Sequence, residues 1–158
     1  MRWRMALISG LVATGALLSS LTAQASGLDD KQIQIMAKVF NFLEKKPPSG
    51  AIILILPGAA DLSAAKNALG ALTVVEGSAA NATGAFAVLV ATPNDAKAVG
   101  ASNAQTIIIS GDVGCVDAGS CMIAIETQPK VSIYTSRAAA AKAGVNFDPN
   151  FKMLITEH

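Results

Sequence analysis

The sequence is poor in the side chains on which many enzymes and nucleic-acid-binding proteins depend. It has one histidine, His158 at the last position, and charged residues make up only 15% of the chain. A single terminal histidine, which we expect to be disordered, does not complete a Ser-His-Asp triad or a cluster of metal ligands. No basic run appears, which argues against a nucleic-acid partner. We therefore predict a protein that is not an enzyme and has no catalytic, cofactor or metal site.

Uncharged residues dominate the start of the chain. Arg2 and Arg4 precede an almost uncharged run over 6–21, and Ala23-Gln24-Ala25 follows with small residues at the two positions that a signal peptidase reads. A charged start, an apolar middle and an A-x-A end in this order are typical of a secretory signal peptide. A retained membrane anchor is the alternative, and the glycines and serines that interrupt the short run argue against it.

The leader hypothesis divides the chain into a signal peptide at 1–25 and one domain at 26–158. Trp3, the only tryptophan, falls in the leader. No later apolar run is long enough to span a bilayer, so we expect a soluble protein outside the cytoplasm that does not cross the membrane after cleavage. Its oligomeric state is left open.

Two cysteines, Cys115 and Cys121, are separated by the five residues VDAGS, a loop rich in small side chains. In an oxidising compartment so close a pair usually forms a disulfide, and closing this loop is worth on the order of 2 kcal/mol. A redox-active pair would more often be spaced C-x-x-C, and a metal site would need further ligands. The disulfide is the favoured interpretation, and the other two stay open at this point.

Hydrophobic periodicity predicts alternating helices and strands in the first two thirds of the domain. Ile33, Met36, Val39 and Phe40 form one apolar stripe, and continuous apolar runs bounded by Pro or Gly are typical of strands covered on both faces. The predicted helices are 28–44, 62–70 and 92–100, and the predicted strands are 51–56, 72–75, 86–91 and 106–110. Either Asp61 or Ser63 can cap the second helix, and Thr92 caps the third, with Pro93 at its first position.

The pattern changes after the cysteines. Residues 122–127 and 131–135 alternate between apolar and polar side chains around Gln128-Pro129, which predicts an antiparallel hairpin with one exposed face. A helix follows at 137–143, capped by Ser136 and ended by Gly144, and 146–156 adds a final turn or helix. The fold class is therefore α/β: a single three-layer domain whose mixed sheet has parallel βα units followed by a C-terminal antiparallel hairpin and helix.

Three stretches resemble the YfiR-like family of exported bacterial proteins. They are KVFNFLEKKPPSGAIILIL, then AFAVLVATPNDAKAV followed by AQTIIISGD, and finally CMIAIETQPKVSIYTSRAAAAKAGVNFDPNFKMLI. Together they cover nearly all of residues 33–155. The resemblance implies a non-enzymatic periplasmic regulator whose partner is an inner-membrane signalling protein. In that family the type member restrains a membrane diguanylate cyclase, and its release raises cyclic-di-GMP and promotes biofilm growth.

The alternative function is a small periplasmic ligand-binding protein of the solute-binding kind. Ligands of open α/β sheets lie outside the carboxyl ends of the parallel strands. The candidate rim there consists of Gly58, Thr92, Gly111 and Asp112, although ordinary turns explain the same residues.

One enzyme-like spacing occurs in the chain. Ser63 and Lys66 match S-x-x-K, the nucleophile and base spacing of penicillin-recognising enzymes. The companion S-D-N and K-T-G elements are absent, so we interpret the pair as a capping serine and a solvated lysine.

Overall fold

The computed structural model describes residues 27–158. The predicted signal peptide at 1–25 lies outside the described residues. Within them, none of the helices has the length and apolar character needed to cross a membrane.

Strands and helices alternate along the described chain. The strands are β1 (Ile52–Ile55), β2 (Thr73–Glu76), β3 (Ala87–Val90), β4 (Ile107–Ser110), β5 (Ile123–Glu126), β6 (Ser132–Thr135) and β7 (Thr156–Glu157). The α-helices are α1 (Asp30–Val39), α2 (Leu62–Ala68), α3 (Pro93–Ser102), α4 (Val113–Asp117), α5 (Arg137–Ala143) and α6 (Pro149–Lys152).

All seven strands form one mixed sheet in the order β2-β1-β3-β4-β5-β6-β7, so β2 and β7 are its edges. Strands β1 to β5 are parallel, β6 is antiparallel to β5, and β7 is parallel to β6. The chain passes from β1 to its neighbour β2 at the edge and then crosses back over β1 to β3. From β3 onward, successive strands are added in the opposite direction, so the order reverses between β1 and β3. Right-handed crossovers therefore place α2 on one face and α3 and α4 on the other. The predicted α/β class, with parallel units followed by an antiparallel hairpin, is confirmed.

The apolar runs form the buried centre of the sheet. Every residue of β3 and β4 is buried, as expected for parallel strands covered by helices on both faces. The prediction of one exposed face in the hairpin is wrong for β5. Ala124, assigned to that face, is fully buried, whereas Val131, assigned to the covered face, is 47% exposed and lies outside β6.

Helix α1 is shorter than the predicted 28–44. It starts in a capping box, in which Asp29 Oδ1 accepts from the Gln32 N–H and Gln32 Oε1 accepts from the Asp29 N–H, both at 2.7 Å. Gln32 Nε2 also donates to the Ile125 carbonyl at 2.6 Å, which ties α1 to β5. The helix ends in a tighter 3-10 turn, Phe40–Phe42.

The predicted start of α3 and both predicted ends of α5 are confirmed, whereas α3 continues two residues past its predicted end at Gly100. Thr92 Oγ1 caps α3 and Pro93 occupies its first turn. Ser136 Oγ accepts from the Ala139 N–H at the start of α5. Gly144 ends that helix at φ +67°, a backbone conformation that residues other than glycine rarely adopt.

Cys115 and Cys121 form the predicted disulfide. Their Cα atoms lie 5.2 Å apart, and both residues are fully buried. Cys115 belongs to α4, a short helix in a stretch whose sequence predicts a turn and a loop. The bridge joins α4 to the start of β5.

The C-terminal residue is ordered, so the expectation for His158 is wrong. Its backbone N–H donates to the Thr135 carbonyl at 2.9 Å, and its Nδ1 lies 2.7 Å from Asp117 Oδ1. Strand β7, which no sequence pattern predicts, holds this end of the chain against β6.

Candidate functional site

The structure brings the four predicted rim residues to one edge of the sheet. Gly58, Thr92, Gly111 and Asp112 follow β1, β3 and β4, three adjacent parallel strands, so they lie along the carboxyl edge. The reversal between β1 and β3 is the point at which open α/β sheets most often bind ligands. The spatial grouping that the sequence predicts is therefore present.

The polar side chains of this rim already serve the fold. Thr92 Oγ1 accepts from the Asp95 N–H at 3.1 Å and donates to the Asp95 carboxylate at 2.7 Å. Asp112 Oδ1 accepts from the Gly114 N–H at 2.9 Å, and its own N–H donates to Ser110 Oγ at 3.1 Å. These contacts start α3 and α4, so the rim is built from helix caps.

The chain itself covers the loop that follows β1. The Leu28 N–H donates to the Ala59 carbonyl at 2.7 Å, and Leu28 forms a parallel bridge with Ala60. Gly27 passes so close that a Cβ placed on it would lie 2.3 Å from the Gly58 carbonyl oxygen. Position 27 therefore requires glycine if this segment is to stay docked.

Replacing Gly27 with alanine is expected to lower the free energy of unfolding by about 1–2 kcal/mol, because the methyl group would clash with the backbone of Gly58 and Ala59 and force the segment away from it. The measurement is urea denaturation of the 26–158 polypeptide followed by circular dichroism. Gly70→Ala is the matched control, since its Cβ would approach no closer than 3.9 Å to the Lys66 carbonyl oxygen. Equal midpoints for the two variants would refute the docked segment.

The S-x-x-K spacing does not build a reactive site in α2. Ser63 and Lys66 are both exposed on the surface of the helix. The helix is capped by Asp61, whose Oδ1 accepts from the Ala64 N–H at 2.8 Å, so of the two predicted cap candidates the structure uses Asp61 and not Ser63.

A solvent-accessible cavity lies at the amino edge of the sheet, opposite the rim, where the chain enters β3 and β4. It is a cavity of about 600 Å³, open to solvent, and a second cavity of about 240 Å³ adjoins it through the shared residues Asn103, Ala104 and Thr106. We call the two cavities together the amino-edge groove. Its polar side chains come from Lys45, Lys46, Lys97, Ser102, Asn103, Gln105, Thr106, Ser120, Lys142 and Asn146.

No protein-family model matches the chain, and no curated protein matches it.

The groove is suited to binding through charge and hydrogen bonds. Lysines provide positive charge, and the amides of Asn103, Gln105 and Asn146 provide both donors and acceptors. Its volume lies in the range of about 300–1,000 Å³ that is common for ligand sites. Sequence reasoning missed the groove because its lysines come from three separate segments.

Proposed function

We propose that the protein is an exported, non-enzymatic regulator that binds an inner-membrane signalling protein on its periplasmic side and restrains a diguanylate cyclase. The resemblance to the YfiR-like family suggests this role. The leader pattern at 1–25 and the buried disulfide between Cys115 and Cys121 support a site of action in an oxidising compartment.

The observation that carries the proposal is the amino-edge groove. It is open to solvent and lined by lysine and amide side chains, which can attract and hydrogen-bond an acidic part of another molecule. The carboxyl rim, by contrast, uses Thr92, Ser110 and Asp112 in hydrogen bonds that begin helices. A binding role for the groove fits both observations.

The test combines capture with a cellular readout. Tagged 26–158 polypeptide is used as bait on detergent-solubilised inner membranes of the native host. We expect recovery of an integral-membrane protein that has both a periplasmic region and a diguanylate cyclase domain. Deleting the gene should raise cellular cyclic-di-GMP, because the restraint on the cyclase is removed.

The matched control is complementation with and without the leader. The full-length chain should restore the low cyclic-di-GMP level, whereas a chain that lacks residues 1–25 should not, since it stays on the wrong side of the membrane. An unchanged cyclic-di-GMP level on deletion, together with a folded bait that captures no cyclase, would contradict the proposal.

The volume of the groove also favours a second candidate, a small periplasmic ligand-binding protein. A cavity of about 600 Å³ can accept a metabolite-sized molecule. A thermal-shift screen of metabolites distinguishes this function, because a true ligand raises the melting temperature in a saturable manner. A flat response across a broad library, alongside cyclase capture, would leave the regulator as the only candidate of the two.

A further inference from the structure

Three aspartates lie at the carboxyl edge of the sheet, whereas lysines line the groove at its amino edge. Asp61, Asp95 and Asp112 lie at the starts of helices that follow β1, β3 and β4, which places them at the carboxyl edge. Carboxylates are favoured at these positions because they bind free backbone N–H groups and face the positive end of the helix dipole. At the amino edge, the residues that line the groove include four lysines and no carboxylate.

The lysines of the groove form no ion pair within the described residues. Lys45, Lys46, Lys97 and Lys142 are all exposed. The ion pairs formed within residues 27–158 are Arg137 with Glu157 and His158 with Asp117, neither of which involves a groove lysine. An anionic ligand would therefore meet four available ammonium groups.

Helix dipoles oppose this charge only in part. Helices α3 and α5 both end beside the groove, and a helix C-terminus carries roughly half a negative charge. Two such ends, together with the exposed carboxylate of Glu44 next to Lys45, offset about half of the four full positive charges, so the sum of charges at the groove stays positive. Lys142, in the last turn of α5, interacts favourably with the end of its own helix.

The distribution of the lysines selects among anions. Lys45 and Lys46 line the larger cavity, whereas Lys97 and Lys142 line the adjoining one. Charges spread along two connected cavities match several carboxylates on an extended chain better than they match one compact anion. The amides of Asn103, Gln105 and Asn146 can pair with the backbone of such a chain.

We infer that the amino-edge groove binds an acidic, extended peptide segment of the partner protein. This inference rests on the proposed function for the existence of a protein partner. The location of the site and the acidic character of the peptide are inferred from the lysine and amide side chains that line the groove.

The test measures binding of fluorescein-labelled heptaglutamate to the 26–158 polypeptide by fluorescence anisotropy at low salt. We expect saturable binding that weakens as salt is raised, because salt screens exposed charges. The Lys45→Glu/Lys46→Glu variant should raise the Kd at least about tenfold, since it reverses charge in the larger cavity. Circular dichroism verifies that each variant is folded.

The matched control is Lys66→Glu/Lys130→Glu, which makes the same change of charge at exposed lysines outside the groove. Its Kd should stay within about twofold of the wild-type value, because distant surface charges are largely screened. Equal losses in the two variants would overturn the inference, since the binding would then follow net charge alone. Equal binding of heptaglutamine would also overturn it.

Two further outcomes would reassign the groove and overturn the peptide assignment. One is displacement of heptaglutamate by inorganic phosphate at constant ionic strength. The other is sedimentation of the wild-type protein, but not of Lys45→Glu/Lys46→Glu, with phosphatidylglycerol vesicles.

The two proposals fail in distinguishable ways. Heptaglutamate binding at the groove without capture of a cyclase would contradict the proposed function alone. Equal capture of the cyclase by the wild-type protein and by Lys45→Glu/Lys46→Glu would contradict the groove assignment alone.

Discussion

Replacing Phe151 with alanine is expected to lower the free energy of unfolding by about 3–5 kcal/mol. The side chain is 2% exposed, and its ring stacks on Phe42 at 4.9 Å and lies 5.6 Å from the ring of Phe147. Helix α6 contains only four residues, so its position depends on this buried ring more than on its own hydrogen bonds. The truncation leaves a cavity between the C-terminal segment and the end of α1.

Urea denaturation followed by far-ultraviolet circular dichroism measures this loss, since the only tryptophan, Trp3, lies outside the 26–158 polypeptide. Met153→Ala is the matched control, because Met153 is two residues away and 78% exposed. The control should change stability by less than about 0.5 kcal/mol. Similar small losses for both variants would mean that α6 is not anchored by the aromatic cluster.

Reducing the Cys115–Cys121 disulfide is expected to lower the free energy of unfolding by about 2 kcal/mol. The bridge closes a loop between residues six apart and restricts the unfolded chain. It also holds the turn in which the Ser120 and Cys121 N–H groups both donate to the Cys115 carbonyl at 3.0 Å. The measurement compares urea midpoints of the 26–158 polypeptide with and without reductant.

The control for the reductant itself is the Cys115→Ala/Cys121→Ala variant. Its midpoint should be insensitive to reductant and should lie at or below that of the reduced wild-type protein, because alanine also leaves small cavities at two fully buried positions. Identical midpoints for oxidised and reduced wild-type protein would show that the bridge does not stabilise the domain. Two free thiols found by mass spectrometry in protein isolated from the periplasm would show that it does not form there.

The elements with local signals were predictable from the sequence. Thr92, Pro93, Ser136 and Gly144 mark the ends of α3 and α5 through chemistry that needs no distant partner. Strand β7 has no such signal, because two residues become a strand only by pairing with β6. The exposed position predicted for Ala124 is wrong for a related reason. Alternation along a strand shows which residues share a face, but the packing of neighbouring elements decides whether that face is covered.

Of the two candidate binding regions, the sequence predicts the carboxyl-edge rim but not the amino-edge groove. The positions of Gly58, Thr92, Gly111 and Asp112 at one edge follow from parallel strand order, which the apolar runs already indicate. The cap at Thr92 is predicted from its place before Pro93, whereas the short helix that Asp112 caps is not predicted. The amino-edge groove could not be predicted, because Lys45, Lys97 and Lys142 meet only after the sheet is assembled.

The two outer strands differ in how readily they could recruit another chain. Strand β7 is two residues long, and its Glu157 is paired with Arg137 at 3.3 Å. It therefore presents few backbone N–H and C=O groups with which another strand could form hydrogen bonds. Strand β2 has four residues, and Val75 on it is 39% exposed. Unpaired edge strands are templates for aggregation. Self-association at high concentration would therefore start at β2, and a lysine in place of Val75 is the substitution that should suppress it.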